Sequence, residues 1–525
     1  AATIRNDATV EAKQAAALSA SGDLTNTGTV QSDGGSLAAN AATLTNAGTL
    51  SASGGSLNLS GSQALTNSGT VVGSQDLSMV SARLSNSGQI QSGTTATVQA
   101  ANLTNSGRLQ AGSTLTIAGN QNLANQAGGV LVAAGDVSAD TAQQLTNAGV
   151  IQAGGQLTVN GRGGVNNQAG GTLYGTLKTT LQLGGNLSNA GTIYAGNQGL
   201  ALNALGLGNS GTLRSDAGIH ASIGGNARNS GTAYAAGDQQ WTVGGALSND
   251  GVLGAAGNTT LQAASLDGAG TLAAGLQGDG SLGSTGTLNA TAFNGTLANH
   301  GRSLAGGDLV LKGNALDLSG SQTRAGTNAT LTATQGDIDN QHGDLAANGT
   351  VTVAAPGALL NQGGKLSGNV LALSVQRIDN TAGSLSQFGS GDWILNLGGD
   401  FINAHGTVST NANNLTIQAA SIDNTGGSIQ HAGTGTLRLT TSGDLRDDGG
   451  QIAGNGALVA QVGGNLGNAG GHVGVAKDAT VTANGFNNAG GTLAANNLGL
   501  TVAQAVGNQG GTVQAAGALN VSAAS

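Results

Sequence analysis

The sequence predicts an all-β chain: a right-handed parallel β-helix, or solenoid, of about 25 coils with about 20 residues each and no α-helical domain. Three observations predict it. One short phrase returns at a nearly constant spacing. Apolar and polar residues alternate in runs of three or four. Glycine, 95 of 525 residues, falls between those runs, where a chain must turn.

The phrase is Leu24-Thr-Asn-Thr-Gly-Thr-Val30, repeated as Leu44-Thr-Asn-Ala-Gly-Thr-Leu50 and Leu65-Thr-Asn-Ser-Gly-Thr-Val71. Its Asn is a convenient anchor. Asn26, Asn46, Asn67, Asn86, Asn105, Asn125, Asn147, Asn167, Asn189, Asn209, Asn229 and Asn249 follow one another at 19 to 22 residues. Asn340, Asn361, Asn380, Asn403, Asn424, Asp447, Asn468, Asn488 and Asn508 follow at 19 to 23. Between these series the signal weakens. Leu266-Asp-Gly-Ala-Gly-Thr-Leu272 and Leu282-Gly-Ser-Thr-Gly-Thr-Leu288 keep the frame without the Asn, Asn299 restores it, and a turn near Gly320 lacks the signature. This divides the chain into regular repeats over 1–260, irregular coils or a transition over 261–330, and repeats of a second type over 331–525. A bend, narrowed coils or a protruding hairpin is expected in the middle segment.

Each coil offers three short strands. In the first coil the inward positions fall at Leu24, Val30 and Leu37, with polar neighbours outward. Gly28 and Gly34-Gly35 occupy the turns, where glycine reaches positive φ at low cost. Helical periodicity is absent, and Gly, Thr, Asn and Ser are poor helix formers. After residue 330 the phrase becomes Ile378-Asp-Asn-Thr-Ala-Gly-Ser-Leu385, with one more small residue at the turn. The anchor Asn has two readings, an inward amide ladder or a left-handed bend before the Gly. Alternation with the inward Leu favours the ladder, assigned to Asn26, Asn46, Asn67, Asn86, Asn105, Asn189, Asn209, Asn229 and Asn249.

Composition excludes several functions. A net charge of −9, with 16 Lys and Arg, argues against nucleic acid and anionic membranes. No apolar run is long enough for a transmembrane helix. No Cys is present, so disulfides, thiolate metal sites and cysteine nucleophiles are excluded. No metal site or cofactor is expected: His220, His300, His342, His405, His431 and His472 form no ligand motif, and His342 and His405 fall at turns. The nearest carboxylate cluster is Asp444, Asp447 and Asp448 around Arg446, read as a solvated turn in which Asp447 replaces the anchor Asn. No catalytic residue is assigned, and the chain is read as non-enzymatic.

One column stands out on the outer surface. Tyr174, Tyr194, Arg214 and Tyr234 recur at one-coil intervals, each after an inward position, while other coils place Gln or Ser there. They form either a stacked ladder that stiffens the coil or a contact platform for a sugar or partner fibre.

The phrases Leu44-Thr-Asn-Ala-Gly-Thr-Leu50, Ile151-Gln-Ala-Gly-Gly155 and Leu466-Gly-Asn-Ala-Gly-Gly-His-Val473 resemble the repeats of filamentous hemagglutinin-like exoproteins, over about residues 18–525. That family contains the two-partner-secretion adhesins and contact-dependent growth inhibition toxins of Gram-negative bacteria. The resemblance implies a secreted fibre on the bacterial outer-membrane surface, exported through an outer-membrane transporter. It implies a stalk that carries an adhesive or toxin-delivery tip to a receptor on a host or neighbouring cell. The alternative is that the β-helix face is itself a glycan- or protein-binding surface. Ala1-Ala2 without a leader predicts processing or excision from a longer protein. The open edge at Leu519-Asn-Val-Ser-Ala-Ala-Ser525 predicts a chain that continues and coils that stack end to end.

Overall fold

The structure, a computed structural model, describes residues 1–524 and divides into two compact units, Ala1–Ala256 and Gly257–Ser525. The described residues contain strands and no helix. Each unit is a parallel β-solenoid whose successive coils pair in register.

In the N-terminal unit, Asp23–Asn26 pairs with the next coil at Leu24↔Leu44 and Asn26↔Asn46, and Thr29–Ser32 pairs at Val30↔Leu50. Leu24, Val30 and Leu37 are buried, as are Leu44, Leu50 and Leu57 in the following coil. The core is thus three stacked strings of aliphatic side chains, one per strand. Burying such strings against the coils above and below stabilises a unit that no single coil could. Trp241 widens this core near the end of the unit, fully buried.

Two expectations need correction here. Three separate strands per coil is accurate for most coils from Val137 onward, where Val137–Thr141 and Leu145–Asn147 are distinct, although Gln239–Asn249 and Thr259–Asp267 are again fused. Before that, the third strand of one coil runs into the first of the next, as in Leu37–Asn46 and Leu77–Asn86. A register shift at Ala41/Thr43 and at Ser81/Arg83 bends these strands in place of a turn. The glycines of the anchor phrase also act differently from expectation. Gly28 and Gly48 have no positive φ. A Cβ on Gly48 would instead overlap the carbonyl oxygen of Gly28 in the coil below. Glycine is needed there because two backbones approach closely.

In the C-terminal unit the early coils are irregular. Thr259 pairs with Leu288 and Thr271 with Arg302, steps of 29 and 31 residues. The surplus leaves the coil as a hairpin, with an antiparallel bridge between Leu276 and Leu282 and a turn closed by Gly280 N–H on the Gln277 carbonyl at 2.9 Å. Leu282-Gly-Ser-Thr-Gly-Thr-Leu288 is therefore not a coil of its own, although it copies the phrase. Its Thr and Gly occur at a return from a hairpin, which needs the same small residues as a turn.

From Asn340 onward the coils are regular again. From Trp393 onward their third strands form a separate seven-stranded sheet, from Trp393–Asn396 to Leu519–Ala523, while the earlier Thr350–Ala354 and Val370–Ser374 remain in the large sheet. Here the anchor turn closes on itself: Gly383 N–H donates to the Asn380 carbonyl at 2.9 Å, with Ala382 between them at φ 55°. A four-residue turn of this kind needs positive φ at its third position. The extra small residue of the second phrase supplies it.

Candidate functional site

The polar interior is the feature most distinctive of this chain. In the N-terminal unit, Asn26 Nδ2 donates to Asn46 Oδ1 at 2.8 Å, to the Thr49 carbonyl at 3.0 Å and to the Gly28 carbonyl at 3.2 Å. The same donation links Asn46 to Asn67, Asn67 to Asn86, Asn86 to Asn105, Asn105 to Asn125, and so on through Asn147, Asn167, Asn189, Asn209 and Asn229 to Asn249, at 2.7–2.9 Å. Asn6, which sequence reasoning did not single out, starts the series by donating to Asn26 at 2.8 Å. Its phrase, Ile4-Arg-Asn, lacks the usual Leu-Thr. Each amide gives one hydrogen to the next amide and the other to backbone carbonyls. A vacancy in a buried polar chain of this sort is costly.

In the C-terminal unit the chain of amides is shorter and interrupted. Asn299 turns its Nδ2 to Ser303 Oγ at 2.8 Å, and Leu318 takes the next anchor position. Asn340 then restarts the series through Asn361, Asn380, Asn403 and Asn424 at 2.6–2.7 Å. Asn424 donates to Asp447 Oδ1 at 2.5 Å, and there the sequence of donations stops. It resumes from Asn468 to Asn488 and Asn508 at 2.6 and 2.7 Å.

The outer column is assembled as follows. The register pairs Gln152 with Tyr174, Tyr174 with Tyr194, Tyr194 with Arg214, Arg214 with Tyr234, and Tyr234 with Gly254. The rings of Tyr174 and Tyr194 stack with centroids 4.7 Å apart and 7° between planes. The Arg214 guanidinium lies 5.8 Å from the Tyr234 ring centroid. Tyr194 Oη donates to Asp216 Oδ2, and Arg214 Nε lies 3.8 Å from Asp216 Oδ1. The hydrogen bond to Asp216, with some burial, pushes the Tyr194 hydroxyl up to about 12. All three rings are half-buried, and Arg214 is exposed. Asp216 fastens the column from its side, a contact that the 20-residue spacing alone does not reveal.

The scattered carboxylates have a common task that composition does not disclose. Many sit at the start of a strand and clip the coil above. Asp136 Oδ1 accepts from Gln156 N–H at 2.7 Å, Asp337 Oδ1 from Ala358 N–H at 2.6 Å and Asp444 Oδ1 from Asn465 N–H at 2.9 Å. Asn226 and Asn328 do the same for Ala246 and Thr350. The Asp of the second phrase caps its turn, as Asp379 Oδ1 accepts from Thr381 N–H at 3.1 Å.

These contacts dissolve the carboxylate cluster. Asp444 and Asp448 each hold a backbone N–H of the following coil, while Asp447 points into the core, fully buried. Arg446 lies 3.9 Å from Asp444 alone. His342 and His405 are exposed at turns with φ 56°. His431 is buried instead, with Nε2 at 2.9 and 3.0 Å from the carbonyls of Ala412 and Asn413. Among the described residues no group of three or more His, Cys, Asp or Glu could hold a metal ion. No helix of the described residues is long and apolar enough to cross a membrane.

The repeat architecture and the family record agree. The haemagglutinin repeat family model matches residues 1–69, 130–191, 336–405, 395–449 and 447–524, more than half of the chain. The chain belongs to the haemagglutinin repeat family. Within it, Toxin CdiA of Yersinia pestis is 36% identical over 144 residues, which is 27% of this chain and 4% of that protein. The tRNA nuclease CdiA-2 of Burkholderia pseudomallei (strain 1026b) is 38% identical over 103 residues, 20% of this chain and 3% of the relative. The stretches that match this chain are thus a small part of those long proteins. No solved structure matches the chain.

Proposed function

We propose that this chain is a stalk segment of a secreted exoprotein, a non-catalytic spacer that carries an adhesive or toxin-delivery tip to another cell. The observation that carries the reading is the unbroken amide series from Asn6 to Asn249, which spends the polar interior on joining coil to coil. Many of the carboxylates are likewise committed to inter-coil clips. The toxin and nuclease named among the relatives fit a chain whose repeats deliver an activity held elsewhere. The partners proposed are an outer-membrane two-partner-secretion transporter during export and a receptor on a host or neighbouring bacterial cell. The location proposed is the bacterial outer-membrane surface.

Export fits the same design. Contacts join residues about 20 apart, so each coil can stack on the last as it emerges. A spacer acts through its length. Removal of one whole coil, residues 27–46, from the full exoprotein should leave surface display intact and shorten reach by about 4.8 Å. Removal of several coils should progressively reduce delivery to target cells. Delivery that is indifferent to coil number would overturn the stalk reading.

A second reading rests on the Tyr174, Tyr194, Arg214 and Tyr234 column, the densest set of aromatics on the surface. In that reading the face itself binds a glycan or a protein. Tyr194→Gln with Arg214→Gln should then abolish adhesion at unchanged coil number and nearly unchanged melting. Lower melting with intact adhesion would assign the column to stiffening alone.

A further inference from the structure

The interruption at Asp447 differs from every other rung. An Asn at this position would pass a hydrogen to Asn468 Oδ1; a carboxylate has none to pass. Asp447 Oδ2 and Asn468 Oδ1 are both buried and both lack a hydrogen-bond partner. Two buried oxygens are therefore left at consecutive rungs, each able only to accept, where the series elsewhere has a donor and an acceptor. We propose that Asp447 carries a proton in the folded coil and donates it to Asn468, so that the amide series of the C-terminal unit is complete with the carboxyl protonated and broken when it ionises. The inference concerns the coil's own chemistry and does not depend on what the stalk carries.

Reversal of the upper amides cannot replace that proton. If Asn468 turned over to donate to Asp447, its oxygen would face the Thr492 carbonyl, which its Nδ2 now contacts at 3.1 Å. The Asn488 oxygen would likewise face the carbonyls of Gly491 and Thr512, both now held at 3.2 Å. Each of those oxygen pairs would be repulsive. One proton on Asp447 removes the mismatch without moving any side chain.

The electrostatic surroundings favour it. Burial pushes the Asp447 carboxyl up to about 7, and the neighbouring charge of Asp448 pushes the same way, against the hydrogen bond from Asn424. The other ionisable groups nearby are Arg446 beside it in sequence, turned toward Asp444, Asp423 on the preceding coil and the exposed His472 on the following one. The adjacent rungs themselves, Asn424 and Asn468, are neutral. Because the folded value lies above the ordinary 3.8, the protonated rung stabilises the coil fully below about that pH. The contribution then declines as pH rises and is gone above about 7.

The test is amide hydrogen exchange over residues 445–470 of the full chain between pH 5 and 8, corrected for intrinsic exchange rates. Protection in the native chain should fall by up to about tenfold per pH unit between 5 and 7. Asp447→Asn supplies the missing hydrogen covalently, so its protection should be flat across that range and at least equal to the native value at pH 5. An unchanged pH profile in Asp447→Asn would overturn the proposal. Infrared or carbon-13 observation of aspartate carboxyls in the native chain needs no variant. A buried carboxyl that titrates near neutrality supports the proposal, and aspartates that all titrate at or below about 4 refute it.

Discussion

The two units turn the chain at the anchor Asn in different ways. At most anchors of the N-terminal unit the turn has no backbone hydrogen bond of its own: Ala47 and Gly48 donate to the Asn26 carbonyl of the coil below, at 2.8 and 3.1 Å, and only the turns after Asn125 and Asn167 close on themselves, through Gly129 and Gly171 N–H on the Gln126 and Gln168 carbonyls at 2.9 Å. In the C-terminal unit Gly383 donates back to Asn380 within the same turn. The first design is shorter by a residue but exists only against a neighbour. The second spends an additional residue in the left-handed region, as at Ala382 and His405, and can form before its neighbour arrives. The same repeat length thus accommodates a borrowed turn and a self-contained one. The difference lies in whether glycine is required for space or for φ.

That contrast can be broken first at the glycines. Gly48→Ala drives a Cβ into the Gly28 carbonyl and should destabilise its coil by at least about 3 kcal/mol, read as lost amide protection over residues 24–70. Gly363→Ala meets only the movable His342 ring, at φ 64°, and should cost about 1 kcal/mol. Equal losses at both positions would erase the distinction between the turns.

The amide series gives the next largest effect. Asn105→Ala leaves the Nδ2 of Asn86 and the Oδ1 of Asn125 without their partners at 2.8 and 2.9 Å, and should cost about 2 kcal/mol. Urea denaturation followed coil by coil, by exchange, would locate the loss at that rung rather than across the unit.

On the outer face, Tyr194→Gln removes one ring of the stacked pair and the bond to Asp216. A decrease of about 0.5–1 kcal/mol is expected, as for other cross-strand aromatic pairs.

The smallest effect sharpens the comparison by sign. Hydrogen bonds from the Asn497 and Asn496 side chains hold the exposed Asp478 carboxyl below its ordinary value. Its stabilisation is present above about pH 4 and fades as pH falls through the folded value, the reverse of Asp447. Asp478→Asn should remove a shallow acid-side loss of protection near residue 497 and leave neutral pH unaffected.

The period, the inward strings and the anchor positions were legible because each recurs and recurrence averages out local noise. Asn6 escaped because its phrase departs from the rest. The hairpin from Leu276 to Leu282 escaped because its return carries the same Thr-Gly-Thr as a coil, and only pairing partners tell them apart. The clips made by Asp136, Asp337 and Asp444 were illegible for another reason. Their positions in the coil drift with turn length, and their partners are backbone N–H groups, which leave no mark on composition. The Tyr and Arg column was visible as a spacing, while Asp216, which binds it, lies outside that spacing.

The in-register pairing has a genetic consequence. Because Asn26, Asn46 and Asn67 present the same acceptor below and donor above, a recombination that excises or duplicates one spacing rejoins matching faces. Within the run of like coils from Asn26 to Asn105 such an event changes length without creating an unmatched surface. Unequal exchange among like repeats is therefore a route by which a lineage can lengthen or shorten this protein in whole coils, with each intermediate able to fold.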